Sequence, residues 1–196
     1  ISRQDCADFY RRNYVGGNIC VAIVGDVDAA EVETYARKYF AKIPAGKAER
    51  AQTAEPEQLA EKRLTIHETT QPILMLGWKV DNVLDPDWPV YQAIASVLGQ
   101  GRTSRLYTKL VKEDKQAVQV FSFAGFPGSC DTNLMTVFGI PVKGVTAAQL
   151  EESVRAEVAR LAADGITAEE LAGVKQRARA NFLRGLDSNS GLAEQL

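Results

Sequence analysis

Residues 116–142 read QAVQVFSFAGFPGSCDTNLMTVFGIPV, and their reading decides the architecture. Gln116–Gly125 and Asn133–Val142 are runs of β-branched and aromatic residues, the composition of strands. Gly125-Phe126-Pro127-Gly128 supplies turn chemistry between them. The two runs therefore fold back on each other as a hairpin with a long loop, which makes the sheet antiparallel.

Working upstream, Pro72–Val80 alternates, with Leu74, Leu76, Trp78 and Val80 on one strand face. Asp85-Pro86 predicts a helix start, Asp as N-cap and Pro at the first helical position. Trp88, Tyr91, Ile94, Ala95 and Leu98 then form one stripe, which Gly99-Gln100-Gly101 breaks, and Leu106, Leu110 and Val111 mark a second helix. Downstream, Thr146 with Gln149 and Thr167 with Glu170 have the spacing of capping boxes. They open helices with stripes at Leu150, Val154, Val158, Leu161 and at Leu171, Val174, Ala178. The whole predicts an α+β fold, an antiparallel-rich sheet with helices packed on one face.

The first 45 residues read as helix, strand, helix. Asp5–Tyr14 carries Cys6, Phe9, Tyr10 and Tyr14 at helical spacing and stops before Gly16-Gly17. Asn18–Val24 is an apolar, β-branched run suited to a buried strand. Asp28, with Glu31 three residues on, then opens a helix whose apolar face is Val32, Tyr35, Ala36, Tyr39 and Phe40. From Ala41 to Lys62 the period is lost among Pro44, Gly46, Pro56 and polar residues, the texture of a surface linker. A short strand is expected at Arg63–His67.

The chain has 196 residues, 23 Lys+Arg against 25 Asp+Glu, 45% hydrophobic and 24% charged residues, the profile of a globular protein. A net charge of −2 argues against nucleic acid as a partner, since phosphate binding needs a surplus of clustered cations. No apolar run approaches the roughly 20 residues of a membrane span, and no signal peptide is visible. The start at Ile1 and the stop at Leu196 within a helix-like pattern lead us to expect a segment cut from a longer chain.

His67 is the one histidine, which excludes any two-histidine zinc motif. At a strand edge it reads as solvent-facing. Cys6, Cys20 and Cys130 are too widely spaced for a thiolate cluster and read as small buried hydrophobes, with at least one free thiol and the redox state open. The most distinctive stretch is Gly99-Gln100-Gly101-Arg102-Thr103-Ser104-Arg105. A glycine turn opening a helix exposes backbone N–H groups, and Arg102 and Arg105 beside it are candidates for holding an anion. The alternative is a helix–helix elbow, its glycines at positive φ and Thr103 or Ser104 as cap. Lys175, Arg177, Arg179 and Arg184 read as a solvated face paired with Glu169, Glu170 and Asp187. Asp26, Asp28 and Glu31 fit turn and cap chemistry better than a calcium loop. No residue is assigned a catalytic or metal-binding role from chemistry alone.

Several segments, in order, resemble the pitrilysin/insulinase-type zinc metallopeptidases, relatives of mitochondrial processing peptidase. Asp8–Tyr14, Asn18 and Ala22–Asp28 are similar to the closing helix–strand–helix of the catalytic domain, and Pro44-Ala45-Gly46 to the linker that leaves it. Leu98–Tyr107 with Leu110-Val111, and Gly165–Leu171, resemble helix junctions of the second, non-catalytic homologous domain. The resemblance implies residues 1–45 as the end of a catalytic domain, 46–62 as linker, and 63–196 as the second domain, cut short at its C-terminus. It implies that the parent is a zinc endopeptidase acting on peptides, its HxxEH zinc site upstream of Ile1. This segment would carry no zinc and no activity, and would form part of the wall of a peptide-enclosing chamber. Some members hold substrate with an Arg and a Tyr seven residues apart. Those places are Val111 and Val118 here, so substrate-binding residues stay unknown apart from Arg102 and Arg105. A non-peptidase scaffold of the respiratory core-subunit type, and an anion-binding module, are the alternatives. The resemblance further implies a homodimer or a heterodimer with a family subunit, and leans toward a periplasmic or otherwise exported bacterial protein.

Overall fold

The computed structural model describes residues 1–48 and 56–196, so residues 49–55 of the expected linker lie outside the described residues. The elements are α1 (Arg3–Asn13), a 3-10 turn (Gly16–Asn18), α2 (Ala29–Phe40), β1 (Leu74–Val80), α3 (Trp88–Gly99), a π-helical segment (Tyr107–Glu113), β2 (Ala117–Phe126), β3 (Asn133–Pro141), α4 (Ala147–Asp164), α5 (Ala168–Gly185) and α6 (Asn189–Glu194). The chain divides into two compact units, Ile1–Pro56 with Arg179–Leu196, and Glu57–Ala178.

In the first unit, α1 opens on a capping box that starts earlier than Asp5. Ser2 Oγ accepts from the Asp5 amide at 3.2 Å while the Asp5 carboxylate accepts from the Ser2 amide at 2.7 Å. Asp28 Oδ1 accepts from the Glu31 amide at 2.9 Å and caps α2, the cap chemistry expected for this carboxylate. The expected strand at Asn18–Val24 does not form. Asn18 closes the 3-10 turn, and residues 19–24 have no ladder partner among the described residues. Strand composition needs a neighbour to satisfy its backbone, so Ile19, Val21 and Ile23 stay exposed.

The second unit holds the sheet, in the order β1-β3-β2, antiparallel throughout. The hairpin of β2 and β3 and the alternation of β1 are as the sequence indicates. Leu74, Trp78 and Val80 of β1 join Val120, Met135 and Val137 on the face that meets the helices. There Leu98 of α3, Leu106 and Leu110 around the π-helical segment, and Leu150 and Val154 of α4 are fully buried. Gly99 ends α3 directly against β2. A Cβ at that position would stand 2.2 Å from the Ser122 amide nitrogen, so only glycine lets the helix end reach the strand.

Two expectations are corrected in this unit, and a third is refined. The strand at Arg63–His67 is absent: the segment pairs with no strand among the described residues, and His67 is exposed but not in a sheet. The helix expected at Asp85-Pro86 begins at Trp88, because Asp85 closes a turn, its carboxylate accepting from the Asp87 amide and its carbonyl from Trp88. The second helix is π-helical, with Asp114 N–H reaching the Lys109 carbonyl.

Candidate functional site

The Gly99–Arg105 stretch folds as an elbow. Gly101 has φ +85°, and the Ser104 hydroxyl and amide both return to the Gly101 carbonyl. This fixes where Arg105 goes. Its guanidinium grips Glu170 through two bonds, Nε to Oε1 at 2.6 Å and Nη2 to Oε2 at 2.7 Å, and also donates to the Gly165 carbonyl at 2.8 Å. Glu170 accepts in addition from the Thr167 amide at 2.8 Å, and Thr167 Oγ1 accepts from Glu170 N–H at 3.1 Å, completing the capping box of α5. The side chains of Arg105 and Glu170 are only 12% and 26% exposed. Arg105, aided by Thr167, lowers the Glu170 carboxyl to about 2 although burial opposes it, and the same bond raises Arg105.

The structure therefore does not bring the two candidate arginines together. Arg102 is exposed at the turn, while Arg105 is an internal clamp whose carboxylate partner any anion would have to displace. The expected solvated pairing of the α5 cations is also corrected. Arg177 reaches the buried Ser96 hydroxyl at 2.9 Å, Arg184 reaches Asn181, and Glu170 belongs to Arg105. Nothing in the sequence marks the Arg105–Glu170 pair, which spans 65 positions.

A second ionic cluster ties residues 61–63 to α4. Arg63 donates to both Glu151 oxygens at 2.7 Å, and Arg155 donates to Glu151 at 2.8 Å and to Glu61 at 2.9 Å. Arg63 first, then Arg155, brings the Glu151 carboxyl down to about 2.

The opposite face of the sheet is aromatic. Phe121 stacks on Phe138 at 5.3 Å and on Phe123 at 6.0 Å, and Phe126 meets Phe123 edge-on at 6.1 Å. Met75 pairs with Phe138 across β1 and β3. Beneath this layer Thr136 is wholly buried, and its hydroxyl has no hydrogen-bond partner.

The donors present do not fit a zinc site. Among the described residues no group of three or more His, Cys, Asp or Glu is placed to hold a metal ion. Cys6, Cys20 and Cys130 are free and exposed, not the buried hydrophobes their composition suggested, because two of them lie on segments without a covering layer and one on the hairpin loop. Among the described residues no helix is long and apolar enough to cross a membrane.

The chain is 27% identical over 195 residues to the zinc protease PqqE of Helicobacter pylori strain ATCC 700392 / 26695, covering 97% of this chain. It is 30% identical over 198 residues to the uncharacterized zinc protease YmxG of Bacillus subtilis strain 168, covering 96% of this chain. It spans 44% of the length of each. The crystal structure of a protease from Helicobacter pylori superposes with a TM-score of 0.87 at 25% identity, over 99% of this chain and 48% of that one. A peptidase M16 inactive domain from Pseudomonas fluorescens shares the fold, with a TM-score of 0.74 at 24% identity over 100% of this chain and 46% of that one. With an antiparallel sheet backed on one face by α3 and α4, and a match of residues 1–178 to the Peptidase M16 inactive domain, the chain belongs to that family.

Proposed function

We propose that this chain is the non-catalytic part of a zinc-dependent endopeptidase and forms part of the wall of a chamber that encloses the peptide. The observation that carries this reading is the aromatic face of the sheet. The helices pack on one side, which leaves Phe121, Phe123, Phe138 and Met75 as a broad, mainly apolar surface with Lys79 at its margin. Such a surface suits unfolded peptide, whose apolar side chains it accommodates without fixing a sequence. The zinc and its activated water would belong to the parent's preceding domain. Residues 1–45 would close that domain, 46–62 would link, and 63–196 would be the second, homologous domain. The peptide is the parent's substrate, and a family subunit, identical or not, its dimer partner.

The test has two parts. The 196-residue chain should contain no stoichiometric zinc and cleave no peptide; one tightly held zinc per chain overturns the reading. In the parent enzyme, Phe138→Ser should raise KM for a long unfolded peptide about tenfold and leave kcat on a short peptide unchanged. Equal effects on both substrates would remove the wall. Isothermal calorimetry with inorganic phosphate examines the anion-binding alternative. No heat of binding is expected, and binding lost in Arg102→Ala would establish it.

A further inference from the structure

Arg177, on α5 in the Glu57–Ala178 unit, is half-buried without a carboxylate. It gives Nε and Nη2 to the Ser96 hydroxyl, at 3.3 and 2.9 Å, and Ser96 is itself buried. Among the described residues Arg177 forms no ion pair, whereas Arg105, Arg63 and Arg155 each grip a glutamate. One neutral oxygen does not balance a cation taken partly out of water. It also leaves three of the five guanidinium N–H groups unspent, both of those on Nη1 among them. Gly173 stands one turn back, where a Cβ would meet Nη1 at 3.4 Å, so that end of the fork lies beside a residue with no side chain.

Arg177 and Gly173 line a cavity of about 410 Å³ between α5 and the Gly99–Arg105 elbow. Two carboxylates share it. Glu170 is spent on Arg105. Glu169 is exposed and has no partner among the described residues. It precedes Arg177 by two turns, about 12 Å along the helix axis. Ala172 and Gly173 lie between them on the same helical face. The cavity is therefore a slot with a small-residue floor, an unneutralised cation at one end and an unpaired carboxylate at the other.

We infer that this slot binds a short peptide zwitterion, its terminal carboxylate on the Arg177 fork and its terminal ammonium toward Glu169. The two oxygens of a carboxylate match the open edge of a guanidinium in a way a single hydroxyl does not. Glu169 and Glu170 turn away a dianion such as phosphate, so the slot favours an anion that carries a cation of its own. Spacing sets the length. An extended tripeptide holds its charged ends about 10 Å apart, close to the span between the two side chains. Ala172 and Gly173 let its backbone lie close to the helix, which suits short side chains. The slot shares no residue with the aromatic face of the sheet, and the inference holds whether or not the parent cleaves peptides.

Titration of the 196-residue chain with Ala-Ala-Ala, followed by NMR at the Gly173 amide, tests it. Saturable shifts with a Kd on the order of 1 mM are expected. Ala-Ala-Ala amide and inorganic phosphate should cause none at the same concentrations. N-acetyl-Ala-Ala-Ala should bind about fivefold more weakly than the free tripeptide. Arg177→Ala should abolish binding. Glu169→Gln, a change at an exposed side chain, should keep binding and remove the preference over the N-acetyl peptide. The inference is overturned by the absence of saturable shifts with Ala-Ala-Ala, or by their persistence in Arg177→Ala. Equal affinity for the amide or for phosphate overturns it as well, the latter by making the slot a general anion site.

Discussion

Glu170 stays ionised far into acid because Arg105 and the Thr167 amide both bind its charged form. The carboxyl lies at about 2 in the folded chain against an ordinary 4.5, so its contribution is complete above pH 4.5 and is lost as pH falls toward 2. Glu170→Gln should cost on the order of 2 kcal/mol at pH 7 and flatten the acid limb of a Tm-against-pH curve. A variant as acid-sensitive as the parent chain would refute this assignment. Thr136 makes the opposite case. Its buried hydroxyl bonds to nothing, so Thr136→Val should raise stability by about 1 kcal/mol in urea titration. At this scale the sequence is legible where partners are near neighbours: Thr146 with Gln149 and Thr167 with Glu170 form the boxes their spacing announces. It is silent where partners are distant, as for Arg105 with Glu170, or Arg63 with Glu151, 88 positions apart.

Among the elements, α3 sits where a single hydrogen-sized side chain allows. Gly99→Ala would drive a methyl into the backbone of Phe121 and Ser122, at 2.7 and 2.2 Å, and the helix end would have to lift off β2. A loss of about 3 kcal/mol is expected, read as a lower urea midpoint with an unchanged m-value. Thr146→Ala removes only one half of the α4 box and should cost about 1 kcal/mol. The elements that the sequence reveals, β1, β2, β3 and the stripes of α3 and α4, are those whose periodicity and whose packing partner lie in the same unit. Asn18–Val24 and Arg63–His67 have equally good strand chemistry and form none, since a ladder is a property of two segments and composition describes one. The start of α3 slips by two residues for a local reason, Asp85 spending its carboxylate on the Asp87 amide.

For the molecule as a whole, the two units differ in how much they bury. The Glu57–Ala178 unit has a continuous core from Leu74 to Leu161, whereas Val15 is the one buried hydrophobic residue among the described part of the other. Phe9, Tyr10, Tyr35, Tyr39 and Phe40 are half exposed there. Hydrogen exchange should accordingly find lower protection in residues 1–45 than in β2, β3 and α4, and uniform protection would contradict the division. The segment at Asn18–Val24 also places a sulfur in the open at Cys20. Alkylation with iodoacetamide, followed by mass spectrometry, should modify all three thiols of the 196-residue chain. If, as proposed, a preceding domain takes residues 19–24 into its own sheet, a longer native protein will leave Cys20 unlabelled, and that one sulfur becomes a chemical gauge of whether the two parts are joined.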